Sequence, residues 1–74
     1  MTRLEMLNAL RADVDALARA DEATILAALP QWDSLAILLV VSHCEHVYDL
    51  EVRGPQIRAC HTMADLLDLI ESLS

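Results

Sequence analysis

Lysine and phenylalanine are missing from this 74-residue chain, and glycine, proline and aromatic residues are scarce. One Gly and two Pro leave little room for the tight turns of β-hairpins. One Trp and one Tyr, in a chain that is 55% apolar, indicate a core of Leu, Ala, Ile and Val, whereas strands would be richer in aromatic and β-branched residues. The sequence therefore predicts an all-α fold in a single domain, residues 1–74, which is too small for a deep enclosed active site.

The charge is strongly one-sided. Five Arg stand against twelve acidic residues, for a net charge of −7. Proteins that bind nucleic acid neutralise phosphates with Lys and Arg, so nucleic acid is excluded as a partner. Two interpretations stay open: the acidic surface speeds encounter with basic partner proteins, or the charge only keeps a small domain monodisperse.

Long apolar segments are also lacking. The first residues show no signal-peptide core, and the longest apolar run, 35–41, is too short to span a bilayer, so no membrane insertion is expected. We expect a cytoplasmic monomer. The two cysteines, Cys44 and Cys60, are too few for a disulfide framework and are expected to be free thiols.

Apolar periodicity predicts three long helices and one short one. The first runs from Thr2 to about Ala18, with a capping box formed by Thr2 and Glu5. A long connection follows, with one helical turn near its middle, and Pro30 ends that turn. The stripe expected to face inward on the first helix comprises Leu4, Leu7, Leu10, Val14 and Leu17. The residues of the turn that are expected to be buried, and so to pin the connection onto the bundle, are Ile25, Leu26 and Leu29.

The same kinds of pattern predict the helices in the second half of the chain. A second helix spans Ser34 to about Tyr48, and Gly54 is expected in a left-handed turn before a short helix that begins near Pro55. Thr62 and Asp65 are spaced as a capping box at the start of the last helix. The inward residues of that helix are predicted to be Met63, Leu66, Leu67, Ile70 and Leu73.

The most informative stretch is Trp32-Asp33-Ser34-Leu35, where the second helix begins. Asp33 and Ser34 are good helix-starting residues, and the apolar run follows them at once. Ser34 should therefore sit in the first turn, where unpaired N–H groups and the helix dipole tolerate an anion such as a phosphate ester.

With these features the chain resembles the acyl carrier proteins and related carrier domains over nearly its whole length. Asp33-Ser34-Leu35 looks like the attachment motif of that family, and 48–52 looks like its Phe-Gly-Val-Glu-Ile segment. The stretch 57–67 looks like the passage from carrier helix III to helix IV. The resemblance implies a four-helix carrier bundle, with a long loop between helices I and II.

The resemblance also implies a function without catalytic activity of its own. A phosphopantetheinyl transferase would attach 4′-phosphopantetheine to Ser34, assisted by Asp33 and Leu35. Acyl-loading and acyl-processing enzymes of a lipid or secondary-metabolite pathway would then be the partners. Partner docking is assigned to Trp32, Ala36, Leu39 and Glu45. Trp32 is expected above all to anchor the end of the loop against the bundle.

The chain departs from the family on its second helix. Positions that are often acidic in carrier proteins read Ala36, Leu39 and Val47 here. Leu39 and Val47 form either an apolar partner face or additional core. The main alternative is an interaction module that keeps the fold without modification. An aminoacyl or peptidyl carrier is a closer alternative, although those carriers usually show Gly-Gly where Gln31-Trp32 stands.

A zinc site and a hydrolase site have only weak support in the sequence. His43, Cys44, His46, Cys60 and His61 invite a zinc interpretation, but their spacing fits no standard motif, so no metal site is predicted and the histidines are expected at the surface. A hydrolase would need a base near Ser34, and the first histidine comes nine residues later along the same helix.

Overall fold

Four α-helices and two short 3₁₀ turns make up the computed structural model, which describes residues 2–74. The α-helices are α1 (Arg3–Asp13), α2 (Ser34–Tyr48), α3 (Gly54–Arg58) and α4 (Met63–Leu73), and the 3₁₀ turns are Asp15–Leu17 and Leu26–Ala28. Within these residues there is no strand, only an isolated bridge between Ile25 and Thr62. The all-α prediction is confirmed, with three long helices and a short one. None of these helices has both the length and the apolar character needed to cross a bilayer.

The first helix is shorter than its periodicity predicts. α1 ends at Asp13, and Val14 adopts an extended conformation before the first 3₁₀ turn. Val14 and Leu17 are both fully buried, so the change of direction keeps the chain on the core. The Nε of Arg11 donates to the Ala18 carbonyl at 3.2 Å and supports this turn. Tertiary packing has overridden a helical pattern that continues in the sequence.

The outward position of Leu4 contradicts the predicted inward stripe. Leu4 is exposed, and the buried residues of α1 are Met6, Leu7 and Leu10. Arg3 is placed towards the core side of the first turn instead, and its guanidinium reaches the carbonyl of Ala64 in α4. The N-terminus of α1 is therefore held by a polar contact where the pattern predicts an apolar one.

The connection between α1 and α2 is fixed to the start of α4. The N–H of Leu26 donates to the His61 carbonyl at 3.0 Å, and the N–H of Met63 donates to the Thr24 carbonyl at 2.9 Å. Leu26 is fully buried below these bonds, whereas Ile25, which was predicted to be buried with it, is exposed. The predicted long loop is therefore ordered by main-chain hydrogen bonds as well as by apolar burial.

The left-handed residue lies elsewhere than predicted. Gly54 has no positive φ, and a Cβ at this position would meet the Ile37 side chain at 3.8 Å, an ordinary van der Waals contact. Asp49, which follows α2, has φ 54°, and its N–H bonds to the Glu45 carbonyl. A short polar residue tolerates this conformation, so the helix ends without glycine. Pro55 does lie in the first turn of α3, as predicted.

The predicted caps of α1 and α4 are confirmed. Thr2 and Glu5 form a reciprocal capping box, and Thr62 and Asp65 form another. The hydrogen bonds that Asp65 accepts from the N–H groups of Thr62 and His61 hold the pKa of its carboxyl below the usual value. The starts of α1 and α4, which depend on residues three positions apart in the sequence, could therefore be predicted from the sequence. On α4 the predicted stripe is buried except for Leu73, at the exposed end.

Candidate functional site

Ser34 is the first residue of α2, and its side chain is exposed. The preceding Asp33 has extended backbone dihedrals, and its Oδ1 accepts the N–H of Ala36 at 3.0 Å. Asp33 is therefore the N-cap of α2, in agreement with the expectation that it is a helix-starting residue. The cap satisfies one of the four N–H groups that begin the helix, and the carbonyl of Asp33 accepts the N–H of Ile37 at 3.0 Å. The Ser34 hydroxyl projects from a well-fixed helix start whose dipole favours negative charge.

An arginine that sequence reasoning missed contacts this hydroxyl. Nη2 of Arg58 donates a hydrogen bond to Oγ of Ser34 at 3.0 Å. Arg58 is the last residue of α3, and its neighbour Ile57 is fully buried, which fixes the short helix against the core. Arg58 and Ser34 are 24 positions apart, so no local sequence pattern indicates this contact, which arises only when α3 docks beside the start of α2.

Within residues 2–74, Arg58 is the arginine that bonds to a side-chain hydroxyl, whereas Arg11 bonds to a main-chain carbonyl. Arg3 pairs with three carboxylates, and Arg53 lies 3.8 Å from Glu51. Within residues 2–74, Arg58 makes no ion pair with a carboxylate, although the chain carries twelve acidic residues. Its guanidinium is exposed beside Ser34 and keeps further N–H donors for another acceptor. The site therefore combines the exposed Ser34 hydroxyl, the Arg58 guanidinium and the N-terminus of α2.

An exposed apolar strip runs along α2 from the site. Leu35 is 65% exposed, Leu38 is 63% exposed and Leu39 is 42% exposed. Steps of three and four residues place the three leucines on one face of the helix, opposite to its buried face. Val47 is also exposed at the far end of α2. Leu39 and Val47 are therefore surface residues, and the interpretation of these two positions as additional core is wrong.

The predicted docking residues occupy different environments. Ala36 is only 3% exposed and lies in the core, so its assignment to partner docking is wrong: the N-cap geometry turns position 36 inward. Trp32 is half-buried and packs against the core, in agreement with its predicted anchor role. Leu39 and Glu45 are exposed and can be reached by a partner.

One histidine is buried, contrary to the prediction for all three. His43 is 4% exposed and faces the core side of α2, while His46 and His61 are exposed. Nδ1 of His43 lies 2.7 Å from Oδ2 of Asp13 at the end of α1. Its ring meets Tyr48 edge-on with 5.7 Å between centroids, and the His43 Nε2 and Tyr48 hydroxyl are buried without a hydrogen-bond partner.

This histidine serves the packing of α1 against α2 rather than the chemistry of Ser34, since it lies on the opposite side of the helix, nine residues further along. Among residues 2–74, no group of three or more His, Cys, Asp or Glu side chains is arranged to hold a metal ion.

No protein-family model matches the chain, and neither a curated protein nor a solved structure is significantly similar to it.

Proposed function

We propose that this chain is an acyl carrier protein that is modified with 4′-phosphopantetheine on Ser34. The single observation that supports it most is the exposed Ser34 hydroxyl at the capped start of α2, within the sequence Asp33-Ser34-Leu35. The order of three long helices and one short helix, with an extended connection before α2, agrees with a carrier bundle. The protein itself would carry out no reaction.

The chemistry of the donors around Ser34 fits a phosphodiester. Arg58 places a positive charge 3.0 Å from Oγ, and the start of α2 adds main-chain N–H groups and the positive end of the helix dipole. An anion attached at this oxygen would be stabilised, whereas a buried serine facing apolar side chains would not accept one. When bound, the arm supplies a terminal thiol that carries acyl groups as thioesters.

In the attachment reaction, Ser34 acts as the nucleophile. Its Oγ attacks the phosphorus atom of coenzyme A that carries the pantetheine, so the new O–P bond forms while the bond to adenosine 3′,5′-bisphosphate breaks. The hydroxyl proton passes to a base of the transferase, which also brings Mg²⁺. The N-cap bond uses Oδ1 of Asp33, and its Oδ2 remains for the docked transferase and its metal.

The exposed leucines give the partner enzymes an apolar contact beside the arm. Leu35 and Leu39 lie on the strip that begins at Ser34, and Glu45 adds negative charge further along α2. Because few acidic residues lie along α2, recognition here would depend more on apolar contact than on charge. We therefore expect dedicated partners rather than enzymes that select a strongly acidic helix.

Two alternatives remain: an aminoacyl or peptidyl carrier, and an interaction module without modification. The second is favoured by the exposure of Leu35, Leu38 and Leu39, since a docking surface needs no arm. The intact mass after incubation with coenzyme A, Mg²⁺ and a broad-specificity phosphopantetheinyl transferase separates them. We expect a gain of one phosphopantetheine in the natural chain and none in Ser34→Ala.

The Ser34→Ala variant is a clean control because, within residues 2–74, the exposed hydroxyl makes a single hydrogen bond, the one from Arg58. We expect its helical circular dichroism to equal that of the natural chain. Absence of any mass gain in the folded natural chain, with several transferases, would contradict the carrier proposal and favour the unmodified module.

A further inference from the structure

We propose that Arg58 is the phosphate-binding residue for a phosphoryl group carried on the Ser34 oxygen. The arm's phosphodiester is the source of that group if the proposed function holds, and in that respect the inference rests on it. The pairing of Arg58 with a phosphate on Ser34 can be tested separately.

The position of the Arg58 guanidinium suits a phosphate on Ser34. Nη2 of Arg58 already lies 3.0 Å from Oγ, the atom that would bond to phosphorus. The non-bridging oxygens of such a phosphate are separated from Oγ only by the phosphorus atom, so a small rotation of an exposed side chain brings the guanidinium to them. The planar guanidinium can present two parallel N–H donors to two phosphate oxygens, which an ammonium group cannot do.

The charges near Ser34 also favour an added anion. The chain has a net charge of −7, and Arg3 and Arg53 lie near carboxylates. Arg58, like Arg11 and Arg19, forms no ion pair within residues 2–74, and it is the one of these three that contacts Ser34. In the unmodified protein the hydrogen bond from Arg58 to the neutral Ser34 oxygen contributes little to stability, since it is weaker than a hydrogen bond to an anion. A phosphate on Ser34 would convert that contact into a charge-assisted bond.

The packing of α3 fixes the main chain at Arg58. Ile57 is fully buried, and the Ala59 N–H bonds to the Pro55 carbonyl at 3.1 Å, so the main chain at Arg58 is fixed on both sides. Gln56 accepts the N–H of Arg53 at 2.9 Å and closes the start of the helix. The fixed main chain keeps the Arg58 guanidinium within reach of a phosphate on the Ser34 oxygen.

The test begins with the full chain carrying phosphoserine at position 34, prepared without a transferase. Phosphoserine releases its second proton near pH ~6, and a nearby cation favours the dianion, so Arg58 should lower this pKa. We expect the ³¹P NMR titration midpoint in Arg58→Gln to be about 0.5 units or more above that of the parent. Arg58→Lys should fall between the two, because it keeps the charge but loses the two-donor geometry.

Arg53→Gln is the matched control. It removes one positive charge from the same short segment, but Arg53 is directed towards Glu51 rather than Ser34. Its phosphoserine midpoint should stay close to that of the parent. Equal shifts in Arg53→Gln and Arg58→Gln would overturn the inference, because they would reflect net charge alone.

A second readout identifies the arm as the source of the phosphate. In ¹H–¹⁵N spectra of the side-chain guanidinium groups, attachment of the arm should move the Arg58 signals and leave those of Arg53 in place. If the arm attaches and Arg58 does not respond, the proposed function stands and the inference is overturned. If no transferase modifies the chain but the phosphoserine midpoint depends on Arg58, the pairing is supported and the proposed function fails.

Discussion

The two thiols of the chain differ in their surroundings, and that difference matters for a protein proposed to bear a third thiol on its arm. Cys44 is fully buried on α2, where desolvation raises the pKa of its thiol to about 11. Cys60 is only partly buried after α3, and its pKa is raised by desolvation and by the charges of Asp65 and Asp68. Thiolate is the reactive form, so both thiols should react slowly and Cys44 the more slowly.

We predict that iodoacetamide at pH about 8 alkylates Cys60 of the native chain at least about tenfold faster than Cys44. Peptide mass spectrometry at timed intervals measures the two rates. In denaturant the two rates should become similar, which controls for local sequence. Similar rates in the native chain would show that Cys44 is not buried as the structure has it.

At the scale of single elements, the start of α2 depends on Asp33. Its Oδ1 caps the N–H of Ala36, and this bond places Ser34 in the first turn and turns Ala36 into the core. Loss of a helix cap lowers the free energy of unfolding by a known range, so the placement of Ser34 can be tested without any ligand.

We predict that Asp33→Ala lowers the free energy of unfolding by about 0.5 to 2 kcal/mol. Asp33→Asn, which keeps an oxygen acceptor at the same position, should lose much less. Urea unfolding followed by circular dichroism measures both. A stability of Asp33→Ala equal to that of the natural chain would remove Asp33 from the capping role and leave the start of α2 unexplained.

The same helix shows what sequence reasoning can reach. The helix starts at Asp33 and Thr62 could be predicted from residues close in sequence, since Asp33 directly precedes the apolar run and Thr62 stands three positions before Asp65. The contacts of Arg58 with Ser34 and of His43 with Asp13 join residues 24 and 30 positions apart. Such pairs follow from how the helices dock, and helix periodicity carries no information about which polar side chains then meet.

Two local predictions also failed for physical reasons. The first helix was extended to about Ala18 because its apolar spacing continues, although the chain turns at Val14 to keep Leu17 on the core. Glycine was expected in the left-handed conformation, which Asp49 adopts instead. In both cases the pattern was compatible with two backbone paths, and packing selected one.

At the scale of the whole molecule, Arg3 connects three segments that are distant in the sequence. Its guanidinium contacts Glu22 at 2.7 Å in the connection, and Asp68 at 2.6 Å and Glu71 at 3.2 Å in α4. The hydrogen bonds to these carboxylates raise the pKa of Arg3 further, so it is charged at every relevant pH. In a chain with a net charge of −7, this one cation offsets repulsion among three carboxylates.

We predict that Arg3→Gln lowers the melting temperature more than Arg19→Gln, although both remove one positive charge. Arg19 forms no ion pair within the described residues, so its variant reports the effect of net charge alone. Scanning calorimetry at low and high salt measures the difference, which should shrink as salt screens the exposed carboxylates. Identical melting temperatures at low salt would show that the network contributes nothing.

The most direct test of the central claim is the location of the arm on the chain. Wild type, Ser34→Ala and Ser42→Ala are treated with coenzyme A, Mg²⁺ and transferase, digested, and analysed by peptide mass spectrometry. Ser42 is the matched serine, because it is exposed on the same helix but lies away from the helix start. We predict one phosphopantetheine on the peptide that contains Ser34 in wild type and Ser42→Ala, and none in Ser34→Ala. An unmodified wild-type chain, or an arm that persists in Ser34→Ala, would contradict the account.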